Sequence, residues 1–247
     1  MNFNGGFYMA LKIFWAGDST VKQNDYTSYP QTGIGQGFLL FMKKNIQMVN
    51  KAENGRSTKS FIAEGILDAI DNEIGKDDFL FIQFGHNDEK PDEKRYTKPY
   101  GSYQENLKLF IEVARKHSAH PVLITPLYRR LFDENEKLID NTHLDYPDAM
   151  KALGEEMNVP VIDLCTISKS FIQKLGDEKS KPLFMHLEKD AYKNYPDGKI
   201  DNTHLQYAGA VAFAELIANE LRKLGGIYED LLIPLNLEKE NPNLLKD

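Results

Sequence analysis

Cysteine is nearly absent: Cys165 is the single thiol in 247 residues. An internal disulfide is therefore excluded, and so is any zinc site built from several thiolates. Positive charge is in deficit, with 30 Lys and Arg against 37 Asp and Glu and a net charge of −7. The basic footprint of a nucleic-acid binder, or of a protein held to an anionic membrane, is missing. No window approaches the roughly 18 consecutive apolar residues of a membrane span. The opening MNFNGGFYMALKIFWAG lacks a charged segment followed by an apolar core and a cleavage site, so no secretory signal is read there. Together with the lone thiol, this gives the expectation of a cytoplasmic protein, or of a secreted one whose signal has been removed. Met9 offers an alternative start, which would make residues 1–8 a frayed extension. No Pro/Gly/Ser-rich linker, domain boundary or solenoid-length repeat interrupts the chain, so residues 1–247 are expected to form one domain. The tail 226–247, charged and carrying Pro234 and Pro242, is expected to pack loosely on its surface.

What is present suits a globular core: 41% hydrophobic and 27% charged residues. Short apolar runs alternate with helix-period patterns. Strands are expected at Leu11–Ala16, Ile46–Val49, Phe79–Phe84, Pro121–Thr125 and Val159–Asp163. Helices are expected over Gly33–Lys44, Ser57–Glu73, Ser102–His117, Tyr146–Met157, Cys165–Leu175 and Gln206–Leu224. Nearly all-apolar strands separated by helices imply a parallel sheet covered on both faces. The fold class is α/β: a single-domain, three-layer α/β/α sandwich with a five-stranded parallel sheet. In such folds ligands bind beyond the carboxyl ends of the strands, which directs attention to the loops beginning at Gly17, Asn50, Gly85, Pro126 and Leu164.

Those loops carry chemistry. Gly17-Asp18-Ser19-Thr20 leaves the first strand, and a serine at a tight strand exit can present its hydroxyl and its own N–H; the same four residues also suit a plain turn or helix cap. Asn54-Gly55-Arg56-Ser57 follows the second strand, and Gly55 lets the backbone point an N–H inward. Gly85-His86-Asn87-Asp88 follows the third, and the Asn87 amide can donate to developing negative charge. Asp201-Asn202-Thr203-His204-Leu205 precedes the last helix, where an Asp three residues before a His can reach its imidazole. Each fragment alone is a weak sign. Together they supply a nucleophile, oxyanion donors and an Asp–His pair on one edge of a sheet, which is a set suited to acyl transfer.

With these four blocks in order over nearly the whole chain, the sequence resembles the GDSL/SGNH hydrolase family. The first block reads GDST rather than GDSL, which is similar to the rhamnogalacturonan acetylesterase branch; FWAGDSTV, NGRSTKSF, FIQFGHND, TPLYRRLFDENEKL and NTHLDYPDAM look like the same branch. The resemblance implies a flavodoxin-like SGNH fold and a serine esterase that removes O-acetyl groups from pectic oligosaccharides through an acetyl-enzyme. It implies Ser19 as nucleophile, His204 as base and Asp201 as its orienting carboxylate. It also implies an oxyanion hole made by the Ser19 and Gly55 N–H groups and the Asn87 side chain, with no cofactor and no metal. The implied partner is an acetylated oligosaccharide, with neither nucleic acid nor membrane.

Asp140-Asn141-Thr142-His143-Leu144 repeats the pentapeptide at Asp201–Leu205 and also lies on the active edge. Spacing alone leaves His143 and His204 as rivals; the family's placement of its DxxH before the last helix favours His204, with His143 lining the cleft. Arg129 and Arg130 fall in the same loop, where a guanidinium pair could attract galacturonate carboxylates or could simply pair with Asp133 and Glu134. Competing activities are an esterase for acetylxylan, for another acetylated sugar or for a different acyl ester. The 88–102 segment DEKPDEKRYTKPYGS is too polar for a lipase lid. A metallophosphoesterase, suggested by Asp18, His86, Asn87 and Asp88, would need Asp-x-His and His-x-His pairs, and neither occurs.

Overall fold

The computed structural model describes residues 10–235. The expected extension 1–8 and the end of the tail, 236–247, lie outside them. The sheet contains β1 (Lys12–Gly17), β2 (Gln47–Asn50), β3 (Phe79–Gln83), β4 (His120–Ile124) and β5 (Val161–Ile162). All five are parallel, in the order β2-β1-β3-β4-β5. Every residue of β3 is buried, as is β1 after Lys12, which is why these strands read as unbroken apolar runs rather than alternating ones.

The period of two nevertheless sorts their side chains. Ile13, Trp15, Phe79 and Phe81 point to one face, Phe14, Ala16, Leu80 and Ile82 to the other. The first face is covered by α1 (Ile34–Phe38), α6 (Leu164–Ser180) and α7 (Tyr207–Leu224). There Trp15 meets Phe38 and Phe81 edge-on, with ring centroids 5.6 and 5.4 Å away. The second face is covered by α2 (Thr58–Ala63), α3 (Ile66–Asp71), α4 (Gln104–Lys116) and α5 (Tyr146–Met157). The molecule is thus the expected three-layer α/β/α sandwich.

The structure departs from expectation in five details. The helix expected over 33–44 is confined to α1, within which Gly35 and Gly37 allow close packing. A Cβ on Gly37 would stand 2.3 Å from the Ala210 carbonyl oxygen of α7. The helix expected over 57–73 is broken at Gly65, whose φ of +73° ends α2 and starts α3. The helix expected over 165–175 runs on to Ser180, with a break at Gly176. An antiparallel pair, β6 (Phe184–Leu187) and β7 (Lys199–Leu205), was not anticipated. Its second strand carries Asp201 and His204 up to the start of α7. The near part of the tail is also more firmly seated than expected: α8 (Gly226–Glu229) is followed by buried Leu231 and Leu232, the latter bridged to Met42. Among the described residues, no helix is long and apolar enough to cross a membrane.

Candidate active site

The carboxyl ends of β1, β2 and β3 converge on one rim. At the exit of β1, Asp18 is fully buried and its Oδ1 accepts from the Thr20 N–H at 2.9 Å and the Thr20 hydroxyl at 2.8 Å. The Asp18 carbonyl accepts from the Val21 and Lys22 N–H groups. This turn leaves Ser19 at its crest, half-buried. Burial works to raise the Asp18 pKa, but the charge of His86 and the Thr20 donors outweigh it and hold the carboxyl below its usual range. Its Oδ2 lies 3.5 Å from His86 Nδ1, too long for a well-formed hydrogen bond.

Beyond β2, Asn50 ties two loops together. Its Nδ2 donates to the Val21 carbonyl at 2.7 Å and its Oδ1 accepts from Ala52 N–H at 3.0 Å. Gly55 follows with φ of +75°, and a Cβ there would meet nothing within 4 Å. Backbone conformation, not crowding, is what calls for glycine at this position. Neither the Ser19 nor the Gly55 N–H has an acceptor among the described residues, so both are free to donate to a ligand.

Beyond β3, the Asn87 Nδ2 donates one hydrogen to the Arg56 carbonyl at 3.1 Å, leaving the other available. Asp88, fully buried, locks the loops of β2 and β3 together by accepting from Thr58 N–H at 3.0 Å, the Thr58 hydroxyl at 2.5 Å and the Thr97 hydroxyl at 3.1 Å. Burial pushes its pKa up to about 7. Asn50 and Asp88 were not singled out as supports of the site from sequence. Their positions at strand ends give a clue to location, but nothing local shows what they bind.

From the opposite side, β7 brings the Asp–His pair. Ser19 Oγ lies 2.9 Å from His204 Nε2, and His204 Nδ1 lies 2.7 Å from Asp201 Oδ2. Asp201 Oδ1 accepts from the Thr203 and His204 N–H groups, each at 2.9 Å, which fixes the carboxylate on the strand that bears the ring. Lys199 Nζ stands 3.1 Å from Asp201 Oδ2. Partial burial opposes ionisation of Asp201, but the hydrogen bond and charge of His204 dominate and hold its pKa far below the usual carboxylate range. Ser19, Gly55, Asn87, Asp201 and His204 all line one cleft of about 370 Å³.

The other candidates are placed differently. His143 is 1% exposed and does not open onto the cleft. It packs behind His86, ring centroids 4.5 Å apart, with Nε2 2.8 Å from the Leu127 carbonyl. Burial, aided by the charge of His86, pushes its pKa down to about 4. Its would-be partner Asp140 is at the surface, paired with Lys169. Arg129 does line the cleft, but it is ion-paired with Glu89 and donates to the Thr142 carbonyl. Arg130 is turned away from the cleft and 3% exposed. It donates to Ser180 Oγ at 2.9 Å and Asn202 Oδ1 at 2.8 Å, and pairs with Asp177. The expected guanidinium pair therefore does not exist: adjacent residues serve different partners, and those partners are not Asp133 and Glu134. Cys165 is buried beside the core, and burial pushes its thiol up to about 12. Among the described residues, no three His, Cys, Asp or Glu side chains converge as a metal-binding group.

The chain is similar to several known proteins. A family model described as GDSL-like lipase/acylhydrolase matches residues 13–217. A rhamnogalacturonan acetylesterase of Bacillus subtilis (strain 168) is 45% identical over 223 residues, 90% of this chain and 94% of that protein. A probable rhamnogalacturonan acetylesterase of the same organism is 42% identical over 218 residues, 88% of this chain and 95% of that protein. The crystal structure of the Bacillus subtilis protein YxiM superposes with a TM-score of 0.75 at 28% identity, covering 88% of this chain and 57% of that one. On the match along residues 13–217 and the identity to these relatives, the chain belongs to the GDSL-like lipase/acylhydrolase family.

Proposed function

We propose that this protein is a serine esterase that hydrolyses O-acetyl esters on pectic carbohydrate, with rhamnogalacturonan oligosaccharides as substrates. The observation that carries the chemistry is the continuous relay Ser19 Oγ–His204 Nε2, His204 Nδ1–Asp201 Oδ2, at 2.9 and 2.7 Å. The substrate class is supported by 45% and 42% identity to the two Bacillus subtilis relatives across almost their whole lengths.

In this reading Ser19 Oγ attacks the acetyl carbonyl carbon while His204 Nε2 takes the hydroxyl proton. The carbonyl oxygen becomes an oxyanion facing the Ser19 and Gly55 N–H groups and the free hydrogen of the Asn87 amide. Donors held in place before reaction stabilise that charge without reorganising. Asp201, ionised throughout, keeps His204 in the tautomer that receives the proton on Nε2 and stabilises the imidazolium. Collapse breaks the ester C–O bond, and His204 gives its proton to the departing sugar oxygen. A water then takes the place of the sugar. His204 removes one of its protons, the oxygen attacks the acetyl-enzyme, and acetate leaves as Ser19 is reprotonated.

The test of substrate is acetate release from acetylated rhamnogalacturonan oligosaccharides beside acetylxylan. Preferential release from the pectic oligosaccharides is expected. Release from xylan alone would keep the serine chemistry and discard the pectic substrate.

A further inference from the structure

Rhamnogalacturonan carries a carboxylate on each galacturonate, whereas this protein has a net charge of −7. Charges of one sign repel over a Debye length of about 8 Å at physiological salt, so holding such a chain calls for a cation at the cleft itself. Lys90 and Arg129 line that cleft. Arg129 is already neutralised by Glu89, and neighbouring Lys199 is already engaged with Asp201. Lys90 takes part in no ion pair among the described residues. Its backbone is held in place: the Lys90 N–H donates to the Asn87 carbonyl at 3.1 Å, closing the turn that presents the Asn87 amide. The side chain is half-buried against the cleft. A cleft-lining lysine with no ion-pair partner among the described residues therefore follows an oxyanion donor by one tight turn.

We propose that Lys90 is the recognition group for a carboxylate on the substrate, binding a uronate at or next to the acetylated residue. It is then the residue that selects anionic over neutral acetylated sugars, a task for which the sequence had offered Arg129 and Arg130 as candidates. The proposal rests on the pectic reading above. A lysine suits it, because a compact point charge tolerates the several orientations that a flexible oligosaccharide presents.

The test compares acetylated rhamnogalacturonan oligosaccharides with the same oligosaccharides after their uronates are reduced to neutral sugars. It uses wild type, Lys90→Gln and Lys90→Arg, with melting temperatures to confirm folding. Wild type should favour the acidic substrate in kcat/KM. Lys90→Gln should shrink that ratio about tenfold, chiefly through KM, as expected for losing a charge-assisted contact. Lys90→Arg should retain most of it, and added salt should shrink it in wild type. An unchanged ratio in Lys90→Gln, or an equal loss on both substrates, would overturn the proposal. A second arm measures inhibition of aryl acetate hydrolysis by unacetylated galacturonate oligosaccharides, whose inhibition constant should rise about tenfold in Lys90→Gln. Lys90-dependent inhibition without acetate release from either oligosaccharide would sink the pectic reading and keep the anion site. Acetate release with an unchanged ratio would do the reverse.

Discussion

At the scale of single residues, each group in the site is fixed by the next. Asp201 is anchored by two backbone N–H groups, His204 by Asp201, and Ser19 by the turn that buries Asp18. Removing the Asn87 amide should cost about 2.7–4 kcal/mol of barrier, a loss of about 10²–10³ in kcat with little change in KM; steady-state kinetics of Asn87→Ala check this. His204→Ala should abolish turnover, while His143→Gln should act mainly on stability, with a sign that pH reveals. His143 has a folded pKa of about 4 against an ordinary 6.5. Between these values the unfolded chain binds the proton and the folded protein does not, so stability falls as pH drops from 6.5 to 4. Melting temperatures across that window should slope less in His143→Gln than in wild type; parallel slopes would contradict the buried, neutral assignment. These two histidines also show what spacing alone could not resolve. They sit in identical DNTHL pentapeptides, and only the strand that carries the second one brings its ring to Ser19. Ser19, Gly55 and Asn87 were legible because strand ends are legible. The direction of Arg130 was not, because its partners Asp177, Ser180 and Asn202 are all far along the chain.

At the scale of elements, the β6–β7 pair delivers the Asp–His unit. Polar residues fill β7, with only Leu205 buried, so no apolar alternation marks it as a strand. Arg130 secures it to the loop after β4 through Asn202, whose Oδ1 also lies 2.7 Å from His186 Nε2 and whose carbonyl accepts the Arg130 N–H. Arg130→Met should therefore loosen the strand between Asp201 and Thr203. The expected result is kcat lower by on the order of tenfold, since small misplacements of reacting groups are costly, with KM moving less. Arg130→Lys should restore part of the loss; a fall in melting temperature with kcat intact would make Arg130 structural only. The long helical patterns were legible from their periodicity. The break at Gly65 was not, since a lone glycine inside an apolar period does not announce a left-handed conformation.

At the scale of the molecule, two cores flank one sheet, and the reacting groups gather where β1, β2 and β3 end and β7 returns. The sheet was legible because strands buried on both faces leave continuous apolar runs. The outer layer packs closely at the small-residue run Ala208-Gly209-Ala210. A Cβ on Gly209 would lie 2.0 Å from the Leu183 carbonyl oxygen, so α7 rests directly on the backbone leading into β6. Gly209→Val should force these apart and cost about 1–3 kcal/mol or more, seen as a lower denaturation midpoint, and should displace the β7 end that carries His204. The claim on which the whole account turns is that Ser19 accepts an acetyl group from pectic carbohydrate. The direct measurement is acetate release from acetylated rhamnogalacturonan oligosaccharides by wild type and Ser19→Ala at equal concentration. Release by wild type with a fall of at least about 10³-fold in the variant is predicted; release that survives in Ser19→Ala would contradict the account at its centre.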